Sequence, residues 1–399
     1  MVELLFLGAI LAAFLLALIL TPIVRAAALA VGFVDQPGER KIHTRDIAYG
    51  GGIAVATAVA LALGTALLLK RYNIVPLPSM AGDMRGWALF SVAAGACVIL
   101  VLGLIDDRYK LSPRTKLAVQ FLVAIGVVMG GVRITAFIGD NLLTQAATVC
   151  WIVLITNSFN LLDNMDGLCA GTVAVAAAML GLVAMDSRQW NLMIALGALA
   201  GAAAGFLKYN RSPATIFLGD AGSLFAGFLM ACSAGLVTYY HAHQASHLAI
   251  GIPLLILAIP LYDTLSVIYI RLKEKRPIMR GDTSHFSHRL VDLGMSRRQA
   301  VTTIHLACLA IGLPATVLGQ LSEERGLLIV GQAVLVLCLI ASLEHAGRNR
   351  AAGNGARVWP EQEAPCATAG LPGSAASNAN PPAAPKIDHP PEARNARSD

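Results

Sequence analysis

The sequence predicts an all-α protein, a polytopic membrane bundle of about eleven transmembrane helices. The 399 residues are 56% hydrophobic and only 14% charged, whereas roughly a quarter of the residues of a soluble protein are charged. Mean hydropathy is +0.66, and many apolar runs approach the roughly 20 residues that cross a bilayer core. Lys and Arg also concentrate in alternate loops, as the positive-inside rule expects.

The apolar runs divide the chain into a membrane domain, residues 1–345, and a tail, residues 346–399. The first run has Glu3 before it and Arg25 after it. This charge order is the reverse of a secretory signal, so we expect a retained helix. The tail is rich in Ala, Pro, Asn and Gly, and we expect it to be disordered. The predicted spans cover residues 3–24, 50–69, 86–105, 115–131, 145–162, 167–186, 190–207, 217–238, 248–270, 300–319 and 326–344.

Loop charges predict the orientation of these spans. The odd-numbered loops hold about 18 Lys and Arg, and the even-numbered loops about 6. The positive-inside rule therefore places the odd loops in the cytoplasm, the N-terminus outside and the tail inside. Every acidic or His-containing cluster of interest falls in or beside an odd loop, which predicts an active site at the cytoplasmic face. The odd loops cover residues 25–49, 106–116, 163–166, 208–216 and 271–298.

The overall charge and the cysteines narrow the function classes. The net charge of +6 and the pI near 9.0 suggest anionic substrates or an anionic surface. We expect no nucleic-acid partner, because the charge lies in loops between spans that contact the lipid bilayer. The seven cysteines form no CxxC pair, which is typical of small apolar residues inside helices.

Asp106 and Asp107 end the third predicted span in the segment LGLIDDRYK. Adjacent carboxylates at a membrane edge repel each other and lose hydration. A divalent cation, a proton or the basic side chains nearby, such as Lys110, could relieve this repulsion. An ordinary charged helix end is the alternative interpretation.

The segment NSFNLLDNMDG is stronger evidence for a functional site. Asn157, Asn160, Asp163 and Asp166 recur every third residue, so on a helix they would form one polar stripe. Acids in a membrane usually face a bundle interior or a watery cavity. Asn and Asp offer oxygen ligands for Mg²⁺ and can also grip a base or ribose. A solvated turn between two helices is the alternative.

Two further clusters lie in or beside odd loops. Asp220, in FLGDAGS, could either cap the eighth span or bind a metal beside a phosphate. His285, His288 and Arg289, in HFSHR, could hold phosphate or sugar oxygens. No third soft ligand stands near the two His residues, so zinc is not expected. A solvated basic loop is the alternative there.

The first cytoplasmic loop, FVDQPGERKIHTR, supplies more positive charge. Its basic residues could bind phosphates or acidic headgroups, although generic positive-inside anchoring explains them equally well. The three glycines 50–52 that follow suggest tight backbone packing where the second span begins. The candidate phosphate-binding residues of this loop are Lys41, His43 and Arg45, beside Arg40.

The ordered set of motifs resembles the polyprenyl-phosphate N-acetylhexosamine-1-phosphate transferases. This family includes the bacterial undecaprenyl-phosphate GlcNAc-1-phosphate transferases and the phospho-MurNAc-pentapeptide translocases. The resemblance spans about residues 1–345 and does not cover the tail. Its motifs are GFVDQPGERKIH with the following GGG, LGLIDDR, NSFNLLDNMDG, FLGDAGS and GDTSHFSHRL.

The resemblance implies a reaction in which undecaprenyl phosphate attacks a UDP-N-acetylhexosamine and releases UMP. Mg²⁺ is the implied cofactor, with Mn²⁺ as a substitute. The implied catalytic and lipid-phosphate residues are Asp106 and Asp107, with Lys110 binding phosphate in the same loop. Asp220 and Asn160 match residues at the metal. The implied nucleotide or sugar residues are Asn157, Asp163, Asp166, His285, His288 and Arg289.

One departure from the family pattern concerns the donor sugar. Ser287 stands where the family often has a third His in an HxHH motif. The loop also lacks the HHHxE-like run of the pentapeptide translocases, which favours a simple donor, UDP-GlcNAc. Transfer of phospho-MurNAc-pentapeptide and transport of an anionic lipid-linked substrate are the alternatives. The resemblance further implies the bacterial inner membrane and a homodimer.

Overall fold

The computed structural model describes residues 2–36, 46–73, 86–134, 141–237, 247–277, 279 and 284–353, without the side chains of residues 347–353. These residues form a helical bundle, as predicted. The α-helices are α1 (Val2–Ala30), α2 (Gly51–Arg71), α3 (Gly86–Tyr109), α4 (Pro113–Met129), α5 (Leu142–Leu162), α6 (Leu168–Asp186), α7 (Trp190–Asn210), α8 (Gly219–Leu236), α9 (Ile252–Ile256), α10 (Ala258–Lys273), α11 (Phe286–Asp292), α12 (Arg297–Ala315) and α13 (Glu323–Gly353). Short 3₁₀ helices cover His247–Gly251 and Leu318–Gln320.

Within the described ranges, nine helices are long and apolar enough to cross a membrane. A tenth span results if the two helical segments His247–Ile256 and Ala258–Lys273, which meet at a bend of 68°, are counted as one. Helix α4 has 17 residues and lies at the lower limit of spanning length. The predicted eleven spans are reached only if both the bent pair and α4 cross the membrane.

The centre of the bundle consists of α6, α7 and α8, whose sequences are apolar on all sides and rich in Ala and Gly. Small residues let neighbouring backbones approach closely, which drives helix packing in membranes. A Cβ at Gly201 would lie 2.0 Å from the Ile10 carbonyl oxygen of α1, and one at Gly205 would lie 2.5 Å from that of Phe14. Helices α1 and α7 therefore pack backbone to backbone.

A small antiparallel ladder supports one end of the bundle. Strand β1 (Val34–Asp35) pairs with β2 (Ile47–Ala48), and Ala48 forms a parallel bridge with Ile216. This ladder ties the loop after α1 to the segment between α7 and α8. The described chain is otherwise helical, so the predicted fold class is confirmed.

The glycines that precede the second span pack tightly, as the sequence suggests. A Cβ at Gly52 would lie 2.3 Å from the backbone nitrogen of Gly222 in α8. The amides of Gly51 and Gly52 also donate to the carbonyl oxygens of Phe217 and Leu218, both at 3.0 Å. The start of α2 is thereby fastened to the start of α8.

Helix α13 continues to Gly353, past the predicted domain boundary at residue 345. Residues 354–399 lie outside the described residues, and the disordered tail stays a prediction.

Candidate active site

The third and eighth helices meet at the paired aspartates. Asp107, near the end of α3, accepts hydrogen bonds from the backbone amides of Asp220 (2.8 Å) and Ala221 (3.2 Å) in the first turn of α8. Gly219 begins α8 with a φ of +73°, and a Cβ there would lie 2.6 Å from Asp107 Oδ2. A glycine is therefore required where the Asp107 carboxylate reaches the α8 amides.

The sequence left open whether Asp220 caps α8. The structure assigns that task to another residue, because the Asp107 side chain binds the free amides of the first turn. The Asp220 carboxylate is thus available for side-chain contacts.

Lys116, in the first turns of α4, joins two of the acids. Its Nζ lies 2.9 Å from Asp106 Oδ2 and 2.9 Å from Asp220 Oδ2. Asp106 Oδ1 also accepts a hydrogen bond from the Leu111 amide at 2.7 Å. The repulsion expected between the adjacent acids is therefore relieved in two ways: Asp106 pairs with a lysine, and Asp107 binds backbone amides.

The polar stripe of the fifth span continues into this network. Asn160 Nδ2 donates to Asp220 Oδ1 and to Ser223 Oγ, both at 3.0 Å. Asn157 exchanges hydrogen bonds with Gln120 of α4 and donates to the Val153 carbonyl oxygen. The two asparagines thus join α5 to α4 and α8.

Asp163 and Asp166 follow the end of α5 in a turn rather than on the helix. Asp166 Oδ2 accepts a hydrogen bond from the Ala214 amide at 3.0 Å. Gly167 has a φ of +78°, and its amide donates to Asn210 Oδ1 at 3.1 Å. These bonds fix the turn against the segment between α7 and α8.

A cavity of about 610 Å³ opens between these elements, within the usual range for a small-molecule site. Five acids contribute to its lining: Asp35, Asp107, Asp163, Asp166 and Asp220. The other polar or aromatic lining residues include Tyr49, Lys110, Asn164, Asn210, Ser212, Phe217 and Arg297.

Lys110 brings positive charge to the cavity wall. It adopts a φ of +52°, and its Nζ lies 5.3 Å from the centre of the Tyr49 ring. Tyr49 donates to Asp35 Oδ1 at 2.9 Å, and burial together with that hydrogen bond raises the pKa of its hydroxyl. The tyrosine remains neutral and can serve as a platform for the lysine.

Burial and the neighbouring acids act together on Asp163, which lies between two spans. Burial, followed by the charges of Asp220, Asp107 and Asp166, raises the pKa of its carboxyl well above the ordinary value. No group of three His, Cys, Asp or Glu side chains in the described part of the chain forms a complete metal site. Mg²⁺ needs only one or two protein carboxylates when water and substrate phosphates complete its shell. The acids of the cavity fit such a partial site.

The His motif lies beside the cavity rather than in its lining. His285 Nδ1 lies 2.9 Å from Asp263 Oδ2, and the Phe286 amide donates to Asp263 Oδ1 at 2.6 Å. Both acid and imidazole are buried. His288 is half-buried.

Ser287 of the same motif donates to Asn164 Oδ1 at 2.5 Å, and Asn164 does line the cavity. The motif therefore contacts the cavity wall through Ser287.

Arg289 is buried at 3% exposure in an ion pair with Glu344 of the last helix. Its Nε lies 3.0 Å from Glu344 Oε1, and it also donates to Ser266 Oγ and the Ser284 carbonyl oxygen. Tyr262 donates to Glu344 Oε2 at 3.0 Å. In this arrangement the guanidinium joins α11 to α13.

Several residues of the site were not predicted from the sequence. The sequence does not distinguish Lys116 from the other basic side chains near the acid pair. Asp263 carried a usable signal, since an acid inside an apolar span is functional by default. Lys41, His43 and Arg45, with Arg40, lie outside the described residues.

Comparisons with known proteins agree with this geometry. The model of Glycosyl transferase family 4 matches residues 89–238, a range that contains the acids of the α3–α8 contact and the turn after α5. A Bacillus subtilis protein, named a probable undecaprenyl-phosphate N-acetylglucosaminyl 1-phosphate transferase, is 32% identical over 334 residues, covering 82% of this chain and 88% of that protein. This chain belongs to glycosyl transferase family 4.

Two further relatives are similar to this chain over most of their length. A Mycolicibacterium smegmatis decaprenyl-phosphate N-acetylglucosaminephosphotransferase is 30% identical, covering 79% of this chain and 83% of the relative. A Yersinia pestis undecaprenyl-phosphate alpha-N-acetylglucosaminyl 1-phosphate transferase is 26% identical, covering 80% and 85%. The shared family and the matched range confirm the family resemblance stated from the motifs.

Proposed function

We propose that this protein transfers GlcNAc-1-phosphate from UDP-GlcNAc to undecaprenyl phosphate and releases UMP. The observation that carries the proposal is the cavity that five acids and Lys110 line at the junction of α3, α5 and α8. The names of the relatives in Bacillus subtilis and Yersinia pestis specify this sugar and this lipid.

In the proposed reaction, an oxygen of the lipid phosphate attacks the β-phosphorus of the UDP-sugar. A new phosphoanhydride bond forms to the lipid phosphate, and the bond between the β-phosphorus and UMP breaks. The lipid phosphate carries its own negative charge near neutral pH, because a phosphate monoester has a second pKa of about 6. A strong general base is therefore not required.

The proposed cofactor is Mg²⁺, with Mn²⁺ as a substitute. Asp163 and Asp220, which both line the cavity, are the candidate ligands, with Asn160 holding Asp220 Oδ1 in place. When bound, the cation would lower the negative charge on the diphosphate and favour in-line attack. Support comes from the clustering of like charges around Asp163, which an anionic substrate alone would worsen.

The other charged residues of the site attract the phosphates or hold the acids in position. Lys110 would attract the phosphates at the cavity wall, and Lys116 keeps Asp106 and Asp220 together. Asp107 holds the first turn of α8 through two amides, so its carboxylate fixes where Asp220 points. We propose Asp107 as the more important acid of the pair for turnover.

The proposed orientation has the cavity and the tail on the cytoplasmic side of the inner membrane and the N-terminus outside. The excess of Lys and Arg in the odd-numbered loops supports it, and UDP-sugars are cytoplasmic metabolites. A homodimer is proposed only from the family resemblance.

The deciding experiment is release of UMP by the purified full chain in detergent with undecaprenyl phosphate and Mg²⁺. UDP-GlcNAc and UDP-MurNAc-pentapeptide are compared, and decaprenyl phosphate tests the acceptor length. We expect release with UDP-GlcNAc that EDTA abolishes. Release only with the pentapeptide donor would refute the sugar assignment. No release with any donor, from chain shown to be folded, would refute the reaction.

A further inference from the structure

A second cavity, of about 500 Å³, adjoins the candidate active site on the side of α7 and α12. We call it the basic groove. Lys208, Arg211 and Arg298 line it together with His305, and among the described residues Asp166 is the single acid in its lining. The basic groove therefore carries a strong excess of positive charge.

The cations of the basic groove come from two separate helices. Lys208 lies in the last turn of α7 and Arg211 directly follows that helix, whereas Arg298 lies in the first turn of α12. Arg298 Nε donates to the Ser212 carbonyl oxygen at 3.1 Å, which holds the start of α12 against the segment that follows α7. The tertiary fold brings Arg298 to Lys208 and Arg211, which lie far from it in sequence.

The other polar groups of the groove leave the positive charge largely uncompensated. Asp166 already accepts the Ala214 amide, and His305 Nε2 lies 3.1 Å from the Leu168 carbonyl oxygen, to which it donates. Within the described part of the chain, Lys208, Arg211 and Arg298 form no salt bridge. Three cations that share one concave site repel each other until an anion enters.

Simple anchoring in the membrane explains a basic loop but not this geometry. Positive-inside anchoring requires only that Lys and Arg lie near the ends of spans. The three cations of the basic groove are exposed, as anchoring side chains are, but anchoring does not require them to line one cavity. Here the charges converge on a cavity large enough for a phosphate group and its substituents. Basic pockets between membrane helices at the cytoplasmic side are typical sites for the headgroups of anionic lipids.

We propose that the basic groove binds a phosphate-bearing anion, namely the headgroup of an anionic phospholipid. The groove lies where two candidate spans, α7 and α12, end or begin, so a lipid can place its phosphate there while its chains stay in the bilayer. Binding does not depend on the proposed transferase activity and is measured without substrates.

The test is native mass spectrometry of the purified full chain with phosphatidylglycerol or phosphatidylcholine added in detergent. We expect preferential retention of phosphatidylglycerol. The double variant Arg211→Gln/Arg298→Gln should bind it about 25-fold more weakly, because each cation near a lipid headgroup contributes about a fivefold factor. The matched control is Lys273→Gln/Lys275→Gln, which removes two exposed charges near the end of α10 and should bind like the wild type.

Two further measurements identify the ligand and test for misfolding. Arg211→Lys/Arg298→Lys keeps the charge and should retain most of the binding, with the wild-type elution volume in size exclusion. Inorganic phosphate should compete weakly with phosphatidylglycerol. Equal phosphatidylglycerol binding by the Gln double variant and the wild type, or an equal loss in the control, would overturn the proposal. Phosphate that binds as tightly as phosphatidylglycerol would overturn the assignment to a lipid.

Discussion

The carboxylate of Asp107 closes the first turn of α8 by accepting the amides of Asp220 and Ala221 at 2.8 and 3.2 Å. One acid of the adjacent pair thereby sets the position of another acid of the cavity, far along the chain. The same side chain lines the cavity, so its role in holding α8 and its role toward substrate cannot be separated by removing the whole side chain.

Asp107→Asn is the substitution that tests the catalytic role. The amide oxygen can still accept one α8 amide, but the negative charge and the second acceptor are lost. We expect turnover to fall by at least about a hundredfold, the scale of a lost catalytic group, while the chain remains folded. The assay is UMP release at saturating substrates, with thermal unfolding as the folding check. Turnover near that of the wild type would refute the role.

Lys116→Gln tests the lysine between Asp106 and Asp220. Removing the cation leaves two partly buried carboxylates facing each other, so we expect a lower thermal unfolding midpoint and lower kcat/KM. The loss of stability should be about 1–3 kcal/mol, below the range for a fully buried pair because the lysine is 21% exposed and Asp220 is 29% exposed.

The control for Lys116 is Arg114→Gln, which removes an exposed charge in the same turn of α4. This variant should keep the stability and kcat/KM of the wild type. If both variants behave alike, the effect belongs to the general charge of the loop and not to the Asp106–Lys116–Asp220 contact.

The raised pKa of Asp163 predicts how stability depends on pH. The folded state holds this proton more tightly than the unfolded chain, in which the pKa is about 4. The contribution of Asp163 to stability therefore falls as pH rises from about 4 through its raised folded pKa. In EDTA, Asp163→Asn should weaken this decline in the thermal unfolding midpoint. A pH profile that is the same in Asp163→Asn and the wild type would contradict a raised pKa at Asp163.

Added Mg²⁺ should act in the opposite direction on the same group. A divalent cation favours the ionised carboxylate, so its stabilising effect on the wild-type chain should increase with pH and should shrink in Asp163→Asn. The control cation is Na⁺ at equal ionic strength, which screens charges without occupying a carboxylate site.

The sequence was sufficient for the fold class and for most of the acids of the cavity. Composition and hydropathy determine a helical membrane bundle, because only helices and closed barrels satisfy the backbone in lipid. The three-residue spacing from Asn157 to Asp166 also indicated that these residues act together. The hydropathy pattern placed the end of the fifth span at residue 162, where α5 ends, so the helical stripe holds for Asn157 and Asn160, and the last two acids lie in a turn.

Sequence patterns could not predict the contacts between distant segments. Lys116 lies 104 residues from Asp220, and Arg289 lies 55 residues from Glu344. Both pairs depend on which helices become neighbours, and hydropathy carries no information on that. The number of spans depends on the same contacts: eleven are reached only if the two segments that meet at 68° before α10 count as one span and the short α4 also crosses the membrane.

The buried pair of Arg289 and Glu344 predicts an asymmetry among variants. Glu344→Gln or Arg289→Gln alone leaves an uncompensated buried charge and should be strongly destabilising, on the order of 3–5 kcal/mol. Arg289→Met combined with Glu344→Leu removes both charges and should recover much of that loss. Thermal unfolding of all three variants measures the coupling. Additive effects of the two single changes would show that the pair does not act as a unit.

The contact between α2 and α8 gives the sharpest test of the backbone packing. A methyl group at Gly52 would meet the Gly222 nitrogen at 2.3 Å, so Gly52→Ala must push α8 away from α2 and shift the turn that Asp107 holds. We expect a lower unfolding midpoint and at least a tenfold lower turnover, since misplacement of about 1 Å can cost a hundredfold.

Gly64→Ala is the matched control in the same helix, because a Cβ there has open space around it. That control should be as stable as the wild type or slightly more stable, given the higher helix propensity of alanine. Equal activity of the two alanine variants would show that α8 does not depend on its contact with α2.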